Sequence, residues 1–223
     1  MAKMKLIEGM KMTDFERDIL FFEALDEKNF SLAHQLYEEG VARLDDTHIS
    51  GHFWLRNQRI YLAIAEKEMD LAKELAQANL VLAREHSQAE EFFLRELQPV
   101  ALRQVADVER EAGNYQQALE FLEEEASLLF EYNESQLVGN AYEQAYLHFL
   151  MGDMELAEQE MRKVLKEAAR IEFPYIEASA NRVLGEITKE RSYFERAKEL
   201  YLEVDAQISA QEVEQMVEAE AKQ

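Results

Sequence analysis

The segment GNYQQALEFL at residues 113–122 returns 39 residues later as GDMELAEQEM at residues 152–161. Both copies place a Gly-Asn or Gly-Asp turn before a large apolar residue, two variable residues and an alanine. The apolar-x-x-Ala core occurs five times, at residues 30–33, 69–72, 115–118, 154–157 and 194–197. The alanines are spaced by 39, 46, 39 and 40 residues. A period near forty residues in a helix-rich sequence predicts stacked helical hairpins.

The composition agrees with an all-helical chain. Of 223 residues, 48% are hydrophobic, and only seven are Gly and two are Pro, so long irregular loops are not expected. Ala, Leu, Glu, Gln and Lys are abundant and favour helices. Alternating Val, Ile and Thr bounded by Gly turns, the signal of strands, is missing.

The formal net charge of −22 restricts the classes of partner. It argues against general nucleic-acid binding, which needs clustered Lys and Arg, and against binding to an anionic membrane surface. It is compatible with a cationic protein or peptide partner, and equally with a charge that serves solubility alone.

Compartment signals point to the cytoplasm. The absence of Cys excludes disulfides and thiolate metal sites and suits a reducing compartment. No apolar run of signal-peptide type follows the N-terminal lysines, and no stretch of about twenty apolar residues exists to span a membrane.

Start and stop signals predict five helical hairpins and a terminal helix. We expect a flexible leader over residues 1–12, a repeat array over 13–204 and a capping helix within 205–223. The expected helices cover about residues 14–26, 31–44, 48–67, 69–84, 87–112, 115–130, 135–151, 154–171, 174–189, 192–204 and 210–221.

The stretch from 87 to 112 departs from the regular period. Pro99 lies inside it, which predicts a kink or a break just before that residue. The spacing of 46 residues also belongs here, and the seven extra residues make about two helical turns. We therefore expect this helix to project beyond its neighbours.

The pattern resembles the tetratricopeptide repeat. In that family a small residue in the first helix of a hairpin packs against an alanine in the second, and twelve residues before the alanine stand Ala106, Ala145 and Gly185. The first two repeats have Phe21 and Ile60 there instead. The resemblance covers residues 14–204 and implies an all-α, right-handed α-solenoid of about five hairpins with a concave face that binds partners.

The resemblance also implies which residues line that face. They lie on the first helix of each hairpin, away from the packing alanine. The candidates for binding a peptide or partner are Trp54, Asn57, Tyr61, Arg103, Asp107, Tyr142, Tyr146, Phe149, Arg182 and Glu186, with Phe15, Asp18, Phe22, Val100 and Ser179 at matching positions. Tyr, Trp and Arg are enriched in binding hot spots, although aromatics at helical spacing are also common in cores.

Catalytic chemistry and cofactors are not indicated. Glycine-rich phosphate loops and a serine nucleophile elbow are absent. His48 and His52 share a helix face, but the Glu of a zinc-hydrolase motif is missing, so we expect neither a metal nor a catalytic site. The acidic run at 123–125 is interpreted as a solvated helix face.

Three functions remain open. The leading one is a non-catalytic scaffold that binds a peptide or partner helix in the concave face. The long period also resembles that of repeats in bacterial peptide-sensing regulators, which implies a regulator that responds to a small peptide and acts by protein contact. The third is self-association as a dimer through an apolar patch at residues 92–94.

Overall fold

The computed structural model describes residues 13–45, 48–89, 96–129 and 133–220, with side chains described to residue 218. Within these ranges the regular structure is entirely helical. The helices are α1 Asp14–Asp26, α2 Phe30–Arg43, α3 Ile49–Ala65, α4 Met69–Glu85, α5 Leu97–Glu111, α6 Tyr115–Leu128, α7 Glu134–Met151, α8 Met154–Arg170, α9 Pro174–Thr188, α10 Arg191–Glu203 and α11 Gln207–Glu220. The prediction of an all-α repeat protein is confirmed.

The helices form two compact units, with the boundary between Gly113 and Asn114. In the first unit, α1 to α5 pack in chain order, each against the next, and α3 also contacts α1 and α5. In the second unit, α6 to α11 pack in the same manner, and α7 also contacts α9. Each unit is therefore a stack of antiparallel helices in which alternate helices run parallel.

A residue in the left-handed region of backbone space closes each hairpin turn. Glycine fills this position at Gly113 and Gly152, with φ of 81° and 87°. Lysine fills it at Lys28, Lys67 and Lys189, with φ of 56°, 65° and 62°. Lysine adopts this conformation at some cost, which glycine avoids. The two turns that use glycine are those whose Gly-Asn and Gly-Asp pairs the sequence shows at residues 113–114 and 152–153.

The core of the first unit begins between α1 and α2. The buried side chains of this cluster are Phe21, Ala24, Leu32, Ala33, Leu36 and Leu62. Phe21 and Ile60, which stand where a small residue was expected, are both fully buried. At these two positions the first unit has large core side chains where the later repeats have Ala or Gly.

The second unit buries two successive clusters. The first joins α7, α8 and α9 and includes Ala145, Met161, Val164 and Leu184. The second joins α9, α10 and α11, where Ala210 and Val213 of α11 pack with Phe194 of α10. The terminal helix thus covers the last hairpin, as predicted for a capping helix.

The helix that contains Pro99 begins two residues before it. Helix α4 ends at Glu85, residues 86–88 form a turn, and α5 begins at Leu97 after a turn residue at Glu96. Of the two predicted alternatives, a kink or a break just before Pro99, these bounds agree with the break, and the helix start expected near residue 87 is not observed. Pro99 lies in the first turn of α5, where its missing N–H would have no helical partner in any case. The expected projection and the apolar patch at 92–94 fall outside the described residues.

The acidic run at 123–125 is not wholly solvated. Glu125 is buried, and its carboxylate accepts a hydrogen bond from Asn140 Nδ2 at 3.0 Å. The same Asn140 nitrogen donates to the carbonyl of Leu122 at 2.8 Å. The sequence interpretation of Glu125 as a surface residue is wrong because α7 covers this side of α6. No helix in the described ranges is long and apolar enough to cross a membrane.

Candidate partner-binding site

Corresponding positions of neighbouring first helices meet in the first unit. The ring of Phe22 on α1 lies 6.0 Å from that of Tyr61 on α3, edge to face. The Tyr61 hydroxyl in turn donates to Asp107 Oδ2 on α5 at 2.8 Å. All three residues stand eleven positions before a repeat alanine. Residues at the same position of successive repeats therefore contact one another.

Tyr61 and Asp107 form a partly buried pair. Burial raises the pKa of the Tyr61 phenol well above its usual value, and the neighbouring charge of Asp107 raises it further. The charges of Arg103 and Arg110 act in the opposite direction on the pKa of Tyr61. Arg110 also lies 3.5 Å from the Asp107 carboxylate. Thus Tyr61, Arg103 and Asp107, all predicted as site residues, are neighbours in space.

Asn57 is committed to a buried network of amide side chains. Its Oδ1 accepts a hydrogen bond from Gln104 Nε2 at 2.8 Å, and Gln104 Oε1 accepts one from Asn79 Nδ2 at 2.9 Å. Asn79 Oδ1 accepts from Arg56 at 2.8 Å. The network links α3, α4 and α5. The Asn57 side chain, predicted from sequence to line the partner-binding face, is buried, and its oxygen accepts a hydrogen bond within the protein.

An apolar surface remains exposed on α1 and α3. Phe15, Ile19 and Phe22 lie at positions i, i+4 and i+7 of α1 and are 75%, 45% and 39% exposed. Trp54 of α3 is 45% exposed. Since Phe22 contacts Tyr61 and the two helices run parallel, Trp54 lies level with Phe15. We call Phe15, Ile19, Phe22, Trp54 and Tyr61 the α1–α3 face.

In the second unit the predicted aromatics form a row on α7. Tyr142 and Tyr146 are stacked with ring centroids 6.0 Å apart and an interplanar angle of 8°. Tyr146 and Phe149 continue the row at 5.9 Å and 20°. Arg182 of α9 lies over the Tyr146 ring at 5.5 Å from its centroid, a cation–π contact. Five predicted site residues are therefore close together here: Tyr142, Tyr146, Phe149, Arg182 and Glu186.

The polar groups of this row are largely paired within the unit. Arg182 donates to the Glu186 carboxylate and, at 3.4 Å, to the Tyr142 hydroxyl. Burial opposes the charge of Arg182, but Tyr142 and Glu186 hold its pKa above the usual value. Burial likewise raises the pKa of Tyr142, against the effect of Arg182. Tyr142 is only 8% exposed, so it is part of the core as well as of the row.

Comparison with known proteins supports the fold. Neither a protein-family model nor a curated protein matches the chain. Among solved structures, a crystal structure of nearly identical TPR-like repeats from a Podosopora anserina protein assigned as a kinesin light chain matches with a TM-score of 0.53 and 15% identity, covering 91% of this chain and 98% of that one. A variant of the same protein matches with the same TM-score and identity over 87% and 93%.

This chain has a TPR-like repeat fold. The likeness extends over nearly the whole length of both chains, although few residues are identical. At this level of identity the likeness shows the architecture of the helical hairpins and nothing about their partners.

Three residues near the α1–α3 face were missed by sequence reasoning. Ile19 completes the apolar stripe of α1, and its spacing of four from Phe15 was a usable signal. Arg17 and Gln58 are buried polar side chains between α1 and α3. No feature of the sequence distinguishes them from the many exposed Arg and Gln. Among the described residues no group of three metal-ligating side chains occurs.

Proposed function

We propose that the chain is a non-catalytic scaffold that binds a peptide or partner helix along the α1–α3 face. The observation that carries this proposal is the exposed stripe of Phe15, Ile19 and Phe22 on one side of α1. Large apolar residues that are exposed together mark interaction surfaces, and an amphipathic helix or extended peptide is the usual occupant. Trp54 and Tyr61 extend the stripe onto α3 and add the aromatic anchors typical of binding hot spots.

The charge of the chain suggests the chemistry of the occupant. With a net charge of −22, the protein attracts basic segments and repels acidic ones. Carboxylates flank the α1–α3 face at Asp14 and Asp18, whose side chains are 75% and 40% exposed. We therefore propose a partner segment that has apolar anchors with basic residues between them. The aromatic row of the second unit remains a further predicted contact site.

A peptide-display selection against the full chain tests the proposal. Selected peptides are expected to combine aromatic or aliphatic residues with Lys or Arg. Their affinity should fall at least about tenfold in a Phe15→Ser/Phe22→Ser variant, because two exposed anchors are removed. It should also fall between about 50 and about 300 mM NaCl, because salt screens the charge attraction.

Val81→Ser is the matched control. Val81 is 56% exposed on α4 and does not belong to the α1–α3 face. The control should bind the selected peptides as the parent chain does. Equal binding by the Phe15→Ser/Phe22→Ser variant, or selection of acidic peptides, would contradict the proposal. Since all the altered side chains are exposed, loss of folding is not expected to complicate the result.

A further inference from the structure

A cavity of about 270 Å³ lies over α3, in the space between α2 and α4. Both of these helices pack on α3. The lining of the cavity includes Tyr37, Val41, Leu44, His52, Arg56 and Leu75. With about 3.6 residues per helical turn, His52 and Arg56 lie on the side of α3 opposite Trp54. The cavity is therefore separate from the α1–α3 face.

The Arg56 guanidinium forms no ion pair with any described residue, although the chain has 46 Asp and Glu against 24 Lys and Arg. Its Nη1 donates to Asn79 Oδ1 at 2.8 Å, which is its one hydrogen bond within the described ranges. Since Asn79 is fully buried, this bond holds the guanidinium in place. The edge formed by Nε and Nη2 remains for an acceptor, and such an edge can bind a carboxylate through two parallel hydrogen bonds.

Two further hydrogen-bonding groups of the cavity are also without a partner in the described part of the chain. They are the imidazole of His52, one turn before Arg56, and the hydroxyl of Tyr37. All three residues are partly exposed, and their unpaired polar atoms keep solvent-accessible surface. A ligand can therefore reach them. An imidazole donates from a ring nitrogen in either tautomer, and a phenol also donates, so the cavity presents three donors.

Neighbouring charges favour an anion in this cavity. Burial raises the pKa of Tyr37 and the charge of Glu38 raises it further, whereas the charges of Arg59 and Arg56 lower it. Both guanidinium groups therefore act on the Tyr37 hydroxyl. Arg59 is itself paired with two carboxylates, at 3.4 and 2.7 Å, so Arg56 supplies the uncompensated charge. One such cation in a chain of net charge −22 suits a monoanion better than a dianion.

The remaining lining is apolar and leaves room for more than an anionic group. Val41 is 43% exposed, and Leu44 and Leu75 are partly exposed. A cavity of about 150 Å³ accommodates benzene, so a cavity of about 270 Å³ can hold a ring with a short chain. A ligand that joins an apolar body to one anionic group matches both parts of the lining.

We infer that this cavity binds a small monocarboxylate with an apolar body, such as an aryl-alkanoate. The carboxylate accepts hydrogen bonds from Arg56 and His52, with Tyr37 as a further donor. The apolar body lies between the aliphatic side chains of α2 and α4. This site does not depend on the proposed function, because it lies on the other side of α3 from the α1–α3 face.

The probe for this site is 3-phenylpropionate. Its counterparts are 3-phenylpropanamide, which has no charge, and acetate, which has no apolar body. Saturation-transfer difference NMR with the full chain measures binding, and the Nε–H resonance of Arg56 locates it. The probe should shift that resonance saturably, with a dissociation constant on the order of 1 mM, as suits a ligand of its size. The amide and acetate should each bind at least about fivefold more weakly, because each lacks one kind of contact.

Two variants test the site. Val41→Asp places a carboxylate at the exposed wall of the cavity and should weaken binding of the probe at least about fivefold by charge repulsion. Its control is Val81→Asp, which alters a residue of α4 that is 56% exposed and outside the lining, and which should have no effect. Arg56→Lys keeps the charge but loses the pair of side-on donors, so the probe should bind at least about threefold more weakly. Its control is Arg84→Lys, also on α4.

Several outcomes would overturn the inference. One is the absence of saturable binding of 3-phenylpropionate. Another is equal binding of the amide, which would make the cavity an apolar pocket without selection for an anion. A probe that binds without shifting the Arg56 resonance occupies another place on the protein. Unchanged affinity in Val41→Asp would have the same consequence, and this exposed substitution decides the matter even if Arg56→Lys does not fold.

Discussion

The ring of Phe194 lies directly on the backbone of Gly185, so that a Cβ at position 185 would stand 2.9 Å from three ring carbons. Phe194 is fully buried between α9, α10 and α11, so its ring has little room to move away from position 185. The small residue that the repeat pattern requires on the first helix is thus explained. It accommodates the large apolar residue at the start of the apolar-x-x-Ala core of the second helix.

Gly185→Ala should therefore destabilise the second unit. Overpacking a tight core costs about 1–3 kcal/mol, whereas the gain in helix propensity is about 1 kcal/mol. We expect a net loss of up to about 2 kcal/mol in urea denaturation followed by circular dichroism. Gly139→Ala in α7 is the control, because its Cβ would meet nothing within 4 Å and should stabilise the helix. If both substitutions stabilise the protein, the Phe194 ring must be able to shift and make room for the added methyl group.

The amide network of the first unit should be energetically coupled. Asn79→Ala and Gln104→Ala each leave buried hydrogen-bonding groups without partners, which costs about 1–3 kcal/mol apart from the lost packing. Because the two side chains bond directly at 2.9 Å, the double variant should cost less than the two single variants together. A double-mutant cycle is expected to give a coupling of about 0.5–3 kcal/mol. Additive losses would refute a cooperative network.

Tyr142 should behave as a core residue. Its ring is 8% exposed and packs in the cluster of α7, α8 and α9, so Tyr142→Ala is expected to lower the free energy of unfolding by about 3–5 kcal/mol. Tyr175→Ala provides the comparison, since that side chain is 47% exposed and should cost less. Normal stability of Tyr142→Ala with weakened peptide binding would instead place Tyr142 in a binding site.

Tyr61 should make the first unit sensitive to alkaline pH. Its pKa in the folded chain is raised above the value of 10.0, so the unfolded chain loses this proton first. The stabilising contribution is complete below about pH 10 and is lost as pH rises from there towards the folded-state pKa. Compared with Tyr61→Phe, the parent chain should lose up to about 1.4 kcal/mol per pH unit over that range. Parallel stability curves above about pH 10 would contradict this assignment.

Local patterns were sufficient to predict the helices and the alignment of the repeats. The apolar residue and alanine at the start of each second helix, and the turn before them, are short-range features. Because the hairpins repeat at a nearly constant length, matching positions on successive first helices come to lie side by side. The contacts of Phe22 with Tyr61 and of Tyr61 with Asp107 follow from that alignment alone.

The exposure of each aligned residue could not be predicted in the same way. Trp54 and Asn57 were equivalent candidates in sequence, yet Trp54 is half-exposed and Asn57 is buried against Gln104 from a helix 47 residues away. Pro99 was compatible with a kink or a break in sequence. The start of α5 at Leu97, two residues before Pro99, agrees with the break.

The sequence by itself determined that this chain is a TPR-like array of helical hairpins, because helix periodicity, turns and repeat length are encoded over short distances. Only the tertiary structure decided which first-helix side chains are core, which form the α1–α3 face, and that Arg17 and Gln58 are buried with hydrogen bonds to Asp18. Burial and hydrogen-bond satisfaction are set by neighbours about forty residues away in the chain, whose side chains meet only when the helices stack.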